Sequence, residues 1–210
     1  MPKLRSLPLH HRPAFIARTR HRHLRGAALM VVLMMLTIVM VLGLGAIQLS
    51  VMGERGSRND RDLKIAWQGA EAGLVDAEID IAGPGNGTRR ASFTTDSRLD
   101  FRAGCGDTGN SRGLCLPVPT GKPVWLTVDL TGTGTAAATL GDFTARSFAS
   151  GDAGLQPARR PRYVIEVLPD NQAFGDKSIG APEKLIYRIT AVGYGPRADI
   201  QAVSQSLFRK

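Results

Sequence analysis

The hydrophobic pattern opens with one long block. From Ala27 to Gly53 no side chain is charged, and Ala27–Leu49 is interrupted only by Thr37, Gly43, Gly45 and Gln48. These 23 residues form a helix of roughly 35 Å at a rise of about 1.5 Å each. A bilayer hydrocarbon core of about 30 Å is spanned by such a helix with some tilt. A cleaved secretory signal carries a shorter apolar region, about 7–15 residues, that ends at small residues. Gly43-Leu44-Gly45-Ala46 is a poor match to that cleavage pattern, so the length favours a retained anchor.

The pattern then changes period. Leu63, Ala66, Trp67, Ala70, Leu74, Ala77 and Ile81 recur at three- and four-residue spacing. That spacing places them on one stripe of an amphipathic α-helix. The stripe is expected to pack against the protein's own sheet, with Leu63, Trp67, Ala70 and Leu74 as its packing residues. Glu71, Asp76, Glu78 and Asp80 read as solvated charges on the remaining surface. Gly83-Pro84-Gly85 ends the helix.

Residues 83–122 are rich in Gly, Thr, Ser and Arg and read as loops. Val124, Leu126, Val128 and Leu130 alternate with Trp125, Thr127 and Asp129, which predicts a strand. Thr131–Thr139 reads as a linker. Tyr163–Leu168, Leu185–Tyr194 and Asp199–Phe208 read as further strands, the last two joined by Gly195-Pro196-Arg197-Ala198. Short runs with local connections imply an antiparallel sheet, and with the helix an α+β fold. The expected organisation is a basic leader over 1–26, a membrane helix over 27–52, an amphipathic helix over 53–82 and a β-rich body over 83–210.

Charge refines this picture. The formal net charge of +9 first suggests nucleic acid. Seven basic residues (Lys3, Arg5, Arg12, Arg18, Arg20, Arg22, Arg25) and no acid lie in residues 1–26. The remainder holds 20 basic and 18 acidic residues, so no nucleic-acid partner is expected. The same asymmetry is expected to put residues 1–25 in the cytoplasm and the C-terminal body outside it.

Candidate chemistry is sparse. All four histidines fall in the leader, and no nucleophile–base set, metal site or cofactor motif follows it. An enzyme is therefore not expected. Cys105 and Cys115 are the two cysteines, and outside the membrane a structural disulfide is their natural pairing. Asp107-Thr108-Gly109 occurs once, whereas aspartic-protease chemistry needs two carboxylates. Asn86-Gly87-Thr88 matches a glycosylation sequon in a loop.

Several segments resemble one family. Arg25-Gly26-Ala27-Ala28-Leu29 looks like the leader junction of type IV pilins. Ala66-Trp67-Gln68-Gly69-Ala70-Glu71-Ala72-Gly73-Leu74-Val75-Asp76-Ala77-Glu78 is similar to the "AxQAAEAALxDAE" region of PilX minor pilins. Pro161-Arg162-Tyr163-Val164-Ile165-Glu166, Tyr187–Gly195 and Val203–Leu207 resemble that family's closing segments. The resemblance implies a pilin-like fold, a long N-terminal helix on a C-terminal antiparallel sheet. It implies prepilin peptidase cleavage between Gly26 and Ala27. Implied partners are the other minor pilins, the major pilin, the peptidase and a large tip adhesin. The implied route runs from the inner membrane into the cell-surface pilus, with roles in pilus priming, adhesion, aggregation or twitching motility.

One position departs from the family. Cleavage after Gly26 makes Val31 the fifth mature residue, where most pilins carry Glu. Tip-located minor pseudopilins of type II secretion systems can also lack that Glu, so that reading stays open. A membrane-anchored extracytoplasmic binding module is the third.

Overall fold

The computed structural model describes residues 27–83, 89–93, 98–151, 155–170 and 184–210. The leader with Gly26, and the Asn86-Gly87-Thr88 sequon, lie outside the described residues. The chain divides into two compact units after Met52. One helix, α1, spans Ala27–Ala82.

In the first unit every residue from Ala27 to Met52 is exposed. An apolar surface this continuous is unstable in water and stable in lipid, where α-helical geometry also satisfies each backbone polar group internally. The helix is long and apolar enough to cross a membrane once. A Cβ added at Gly43 or Gly45 would meet nothing within 4 Å among the described residues beyond the helix's own neighbouring backbone.

The second unit is a sheet covered on both faces. Its strands are β1 (Leu114–Cys115), β2 (Ala138–Thr139), β3 (Arg162–Pro169), β4 (Leu185–Tyr194) and β5 (Gln201–Arg209). The order is β1-β3-β4-β5, with β2 also on β3. β3, β4 and β5 run antiparallel, in registers that include Glu166↔Arg188 and Thr190↔Gln205. β1 runs parallel to β3, pairing Leu114 with Ile165, so the sheet is mixed rather than wholly antiparallel. The long connection from β1 to β3 lets the chain return in the same direction, which a hairpin cannot do.

Side-chain alternation assigns the two faces. Tyr163, Ile165, Val167, Tyr187, Ile189 and Ala191 pack with Leu74, Ala77 and Ile81 of α1. Val164, Val192 and Tyr194 face the other way, into a cluster with Val124, Leu130, Cys105 and Cys115. Cys105 and Cys115 form the disulfide. Phe93, Phe101 and Tyr187 add an aromatic group, with Phe93 edge-on to Tyr187 at 5.6 Å between ring centroids.

Helix and sheet meet through their smallest residues. A Cβ at Gly193 would collide with the Ala66 carbonyl and the Ala70 amide, and one at Gly73 would lie 3.1 Å from Ala191 Cβ. This approach corrects the expected packing stripe. Ala70 and Leu74 are buried, but Leu63 and Trp67 are 38 and 46 % exposed. The face turned to the sheet carries Ala66, Gly69, Ala70 and Gly73, and an indole does not fit where backbones nearly touch.

The expected strand at Val124–Leu130 is also corrected. Val124–Leu126 forms a 3-10 turn. It follows Pro123, whose carbonyl accepts from the Leu126 amide at 3.0 Å, and the Thr127 and Val128 amides donate to Val124 O at 2.9 and 3.0 Å. Val124 and Leu130 are buried while Leu126 is exposed, so the apolar alternation reflects separate contacts and no pleat.

Replacing both cysteines by serine removes the cross-link over the 105–115 loop and should cost about 2.5–3 kcal/mol by chain entropy. Urea unfolding of the full chain in detergent, with and without the bridge, measures that difference. An unchanged midpoint would contradict a stabilising role.

Candidate functional site

Two surfaces of α1 carry the features relevant to function. Along residues 27–52 the surface is almost wholly apolar, and Val31, the fifth residue from Ala27, is 56 % exposed. The nearest acid along the helix is Glu54, which pairs with Arg58 one turn on. Ala27 opens the helix. Further along, Leu63, Trp67 and Val75 lie on one exposed line at multiples of four residues. Glu71 completes that line and accepts from the Ser204 hydroxyl of β5 at 2.8 Å. The line is therefore apolar and lies beside an edge strand.

The opposite side of the helix holds a buried network built on Asp76 and Asp80, two charges expected to be solvated. Asp76 and Asp80 are fully buried. Arg89 Nε donates to Asp80 Oδ2 at 2.8 Å, and both side chains of this ion pair are inaccessible to water. Tyr163 on β3 donates its hydroxyl to the same oxygen at 3.2 Å. Arg89 Nη1 also donates to the carbonyls of Asn110 and Arg112 in the disulfide loop. Its guanidinium stacks on Phe143 with 3.5 Å to the ring centroid. Asp76 accepts from the Gly141 amide at 2.9 Å and from the Thr144 hydroxyl, with Arg146 Nη1 at 3.6 Å.

Burial disfavours the charged carboxylate of Asp80 and raises its pKa above 3.8, opposed by the hydrogen bond and charge of Arg89. Burial and the adjacent Asp80 charge push the Tyr163 phenol well above its ordinary value, so it stays a donor. On β3 and β4, Glu166 and Arg188 form a two-pronged pair at 2.8 Å on each arm.

Sequence spacing does hold a trace of this network. Gly69, Gly73, Asp76 and Asp80 form a second row at helical period beside the Ala70–Leu74–Ala77–Ile81 row. A row that begins with two glycines at the closest crossing must continue inward. Among the described residues no group of three or more His, Cys, Asp or Glu could hold a metal ion. The network joins five segments: α1, the stretch holding Arg89, the disulfide loop, the 141–146 loop and β3.

Two family models match the chain. PilX N-terminal covers residues 25–75, and Type IV pilus assembly protein PilX C-term covers residues 111–210. No curated protein and no solved structure gives a match.

Arg89→Ala should destabilise the domain by about 3–5 kcal/mol, because it strands a buried carboxylate. Asp80→Asn reports on the titration itself. The raised folded-state pKa means that protonated Asp80 stabilises the fold below pH 3.8 and that this gain is lost as pH rises through the folded value. The stability of the unaltered chain minus that of Asp80→Asn should therefore fall as pH rises from about 3.8. Urea midpoints between pH 3 and 7 test the sign, and a difference that rises with pH would refute it.

Proposed function

The chain belongs to the PilX family of type IV pilus assembly proteins, and we propose that it is a minor pilin that primes pilus assembly from the tip. The observation that carries this reading is the wholly exposed apolar helix of Ala27–Met52, placed ahead of a folded body. Such a helix has two compatible surroundings, lipid and the interior of a helical fibre. The protein would wait in the inner membrane, with its N-terminus in the cytoplasm and its body in the periplasm. It would then transfer into the pilus once the peptidase cuts between Gly26 and Ala27.

Val31 supports a terminal position. In the filament interior a new N-terminal ammonium needs a carboxylate partner, since an unpaired buried charge costs several kcal/mol. Val31 offers none, so this subunit fits best where no earlier amine must be met. The exposed Leu63–Trp67–Val75 line would contact the next minor pilin or the major pilin, with polar Glu71 already engaged by Ser204. Contacts with a large tip adhesin, and effects on adhesion, aggregation and twitching, would follow from a place at the exposed end.

Mass spectrometry of the membrane-extracted protein should give a mature N-terminus at Ala27 with the apolar run retained. A start downstream of Gln48 would exclude the pilin route. Deleting the gene should reduce surface pili and leave major pilin levels unchanged, whereas normal piliation and twitching would remove the proposal. Trp67→Ala should lower piliation severalfold without unfolding the body, because the indole is half exposed.

A further inference from the structure

We propose that the body carries a binding site for a phosphate-type dianion, inorganic phosphate or a phosphate monoester, in an arginine-lined cavity beside β2 and β3. The cavity has a volume of about 380 Å³. Its rim is the Gly132–Thr135 loop, and Arg112, Arg159, Arg160 and Arg162 reach it from two further segments.

The arginines differ in how fully they are used. Arg162 is a structural staple, donating to the carbonyls of Gly132 and Gly134 and thereby fixing the loop. Arg159 and Arg160 are exposed, and each makes one bond to protein, to Thr131 O and Leu140 O at 3.2 Å. A guanidinium has five N–H donors, so most of theirs remain available. Neither has a carboxylate partner among the described residues. Arg112 holds Asp142 loosely, at 3.5 Å. The Thr133, Gly134 and Thr135 amides make no hydrogen bond among the described residues.

The charge balance selects the ligand class. Among the described residues, Asp142 and Asp129 are the carboxylates facing these four guanidinium groups, and Asp129 is itself engaged by the Thr131 and Gly132 amides. Two positive charges are left over, matching the roughly −1.5 to −2 charge of a phosphate monoester at neutral pH. Planar guanidinium forks bind tetrahedral oxyanions in two-pronged fashion, and loop amides and threonine hydroxyls supply further donors. Four like charges around one cavity repel each other, and an anion relieves that repulsion. The proposal concerns the body alone and does not depend on the place of the protein in a pilus.

The test uses the full chain in non-ionic detergent at low ionic strength, titrated calorimetrically with inorganic phosphate, with glucose 6-phosphate and with a single-stranded DNA oligonucleotide. Both small anions should bind saturably and weaken as sodium chloride is added. Arg159→Gln/Arg160→Gln should weaken them roughly tenfold or more, since each charge-assisted bond is a strong one. Arg55→Gln/Lys64→Gln, which removes the same charge from exposed helix positions, should leave them unchanged. Circular dichroism confirms that both variants stay folded. Equal loss in the two double variants, absence of small-anion binding, or binding of the oligonucleotide alone would each overturn the proposal. Binding of inorganic phosphate without the sugar phosphate would support a free-anion source, and binding of both an ester source.

Discussion

Asp80 and Arg89 meet in the interior with both side chains sealed from water, and the rest of the body is arranged around that contact. Arg89 alone touches the helix through Asp80, the disulfide loop through the carbonyls of Asn110 and Arg112, and Phe143 through its flat face. Asp80 adds β3 through Tyr163. A buried ion pair contributes little net stability, because desolvation offsets most of the attraction. Its value here is positional. Arg112 is followed directly by Gly113, whose carbonyl accepts from the Ile165 amide, and then by β1. Fixing the Arg112 carbonyl thus fixes where the short parallel strand joins β3.

The geometry of the helix–sheet crossing imposes a complementary demand. Backbones that approach this closely exclude large side chains, so Ala66, Gly69, Ala70 and Gly73 occupy the crossing and Gly193 receives them. Larger groups are displaced to either side. Leu74 and Ile81 reach the core beyond the crossing, and Trp67 is turned outward. One constraint therefore explains both a tight interior and an apolar line left on the surface. The N-terminal half of α1 is exposed along its length, and its length and composition are those of a helix able to cross a membrane.

What the sequence made legible follows from whether the governing force is local. The 27–49 run declares itself because lipid penalises every charge along it. β3, β4 and β5 were legible because alternation on a two-faced sheet repeats within each strand; β4 has the expected ends, and those of β3 and β5 differ from expectation by one or two residues. Val124–Leu130 shows the same alternation for another reason, a Pro123-initiated turn with two unrelated burial events. Asp76 and Asp80 looked solvated because their partners lie 9 to 83 residues away and leave no local mark. Trp67 looked like core because helical period reports a face and is silent on clearance. The arginine-lined cavity draws on three segments, so no single window of residues displays it.

The sequence distance between Asp80 and Tyr163 also sets a timetable. Eighty-three residues separate the two hydrogen-bonded side chains. At a synthesis rate of about 5–20 residues per second, the second emerges roughly 4–17 s after the first. Throughout that interval the inward row of the helix has no sheet to rest on. The helix therefore waits for its partner, and packing of the body is completed only once β3 has been made.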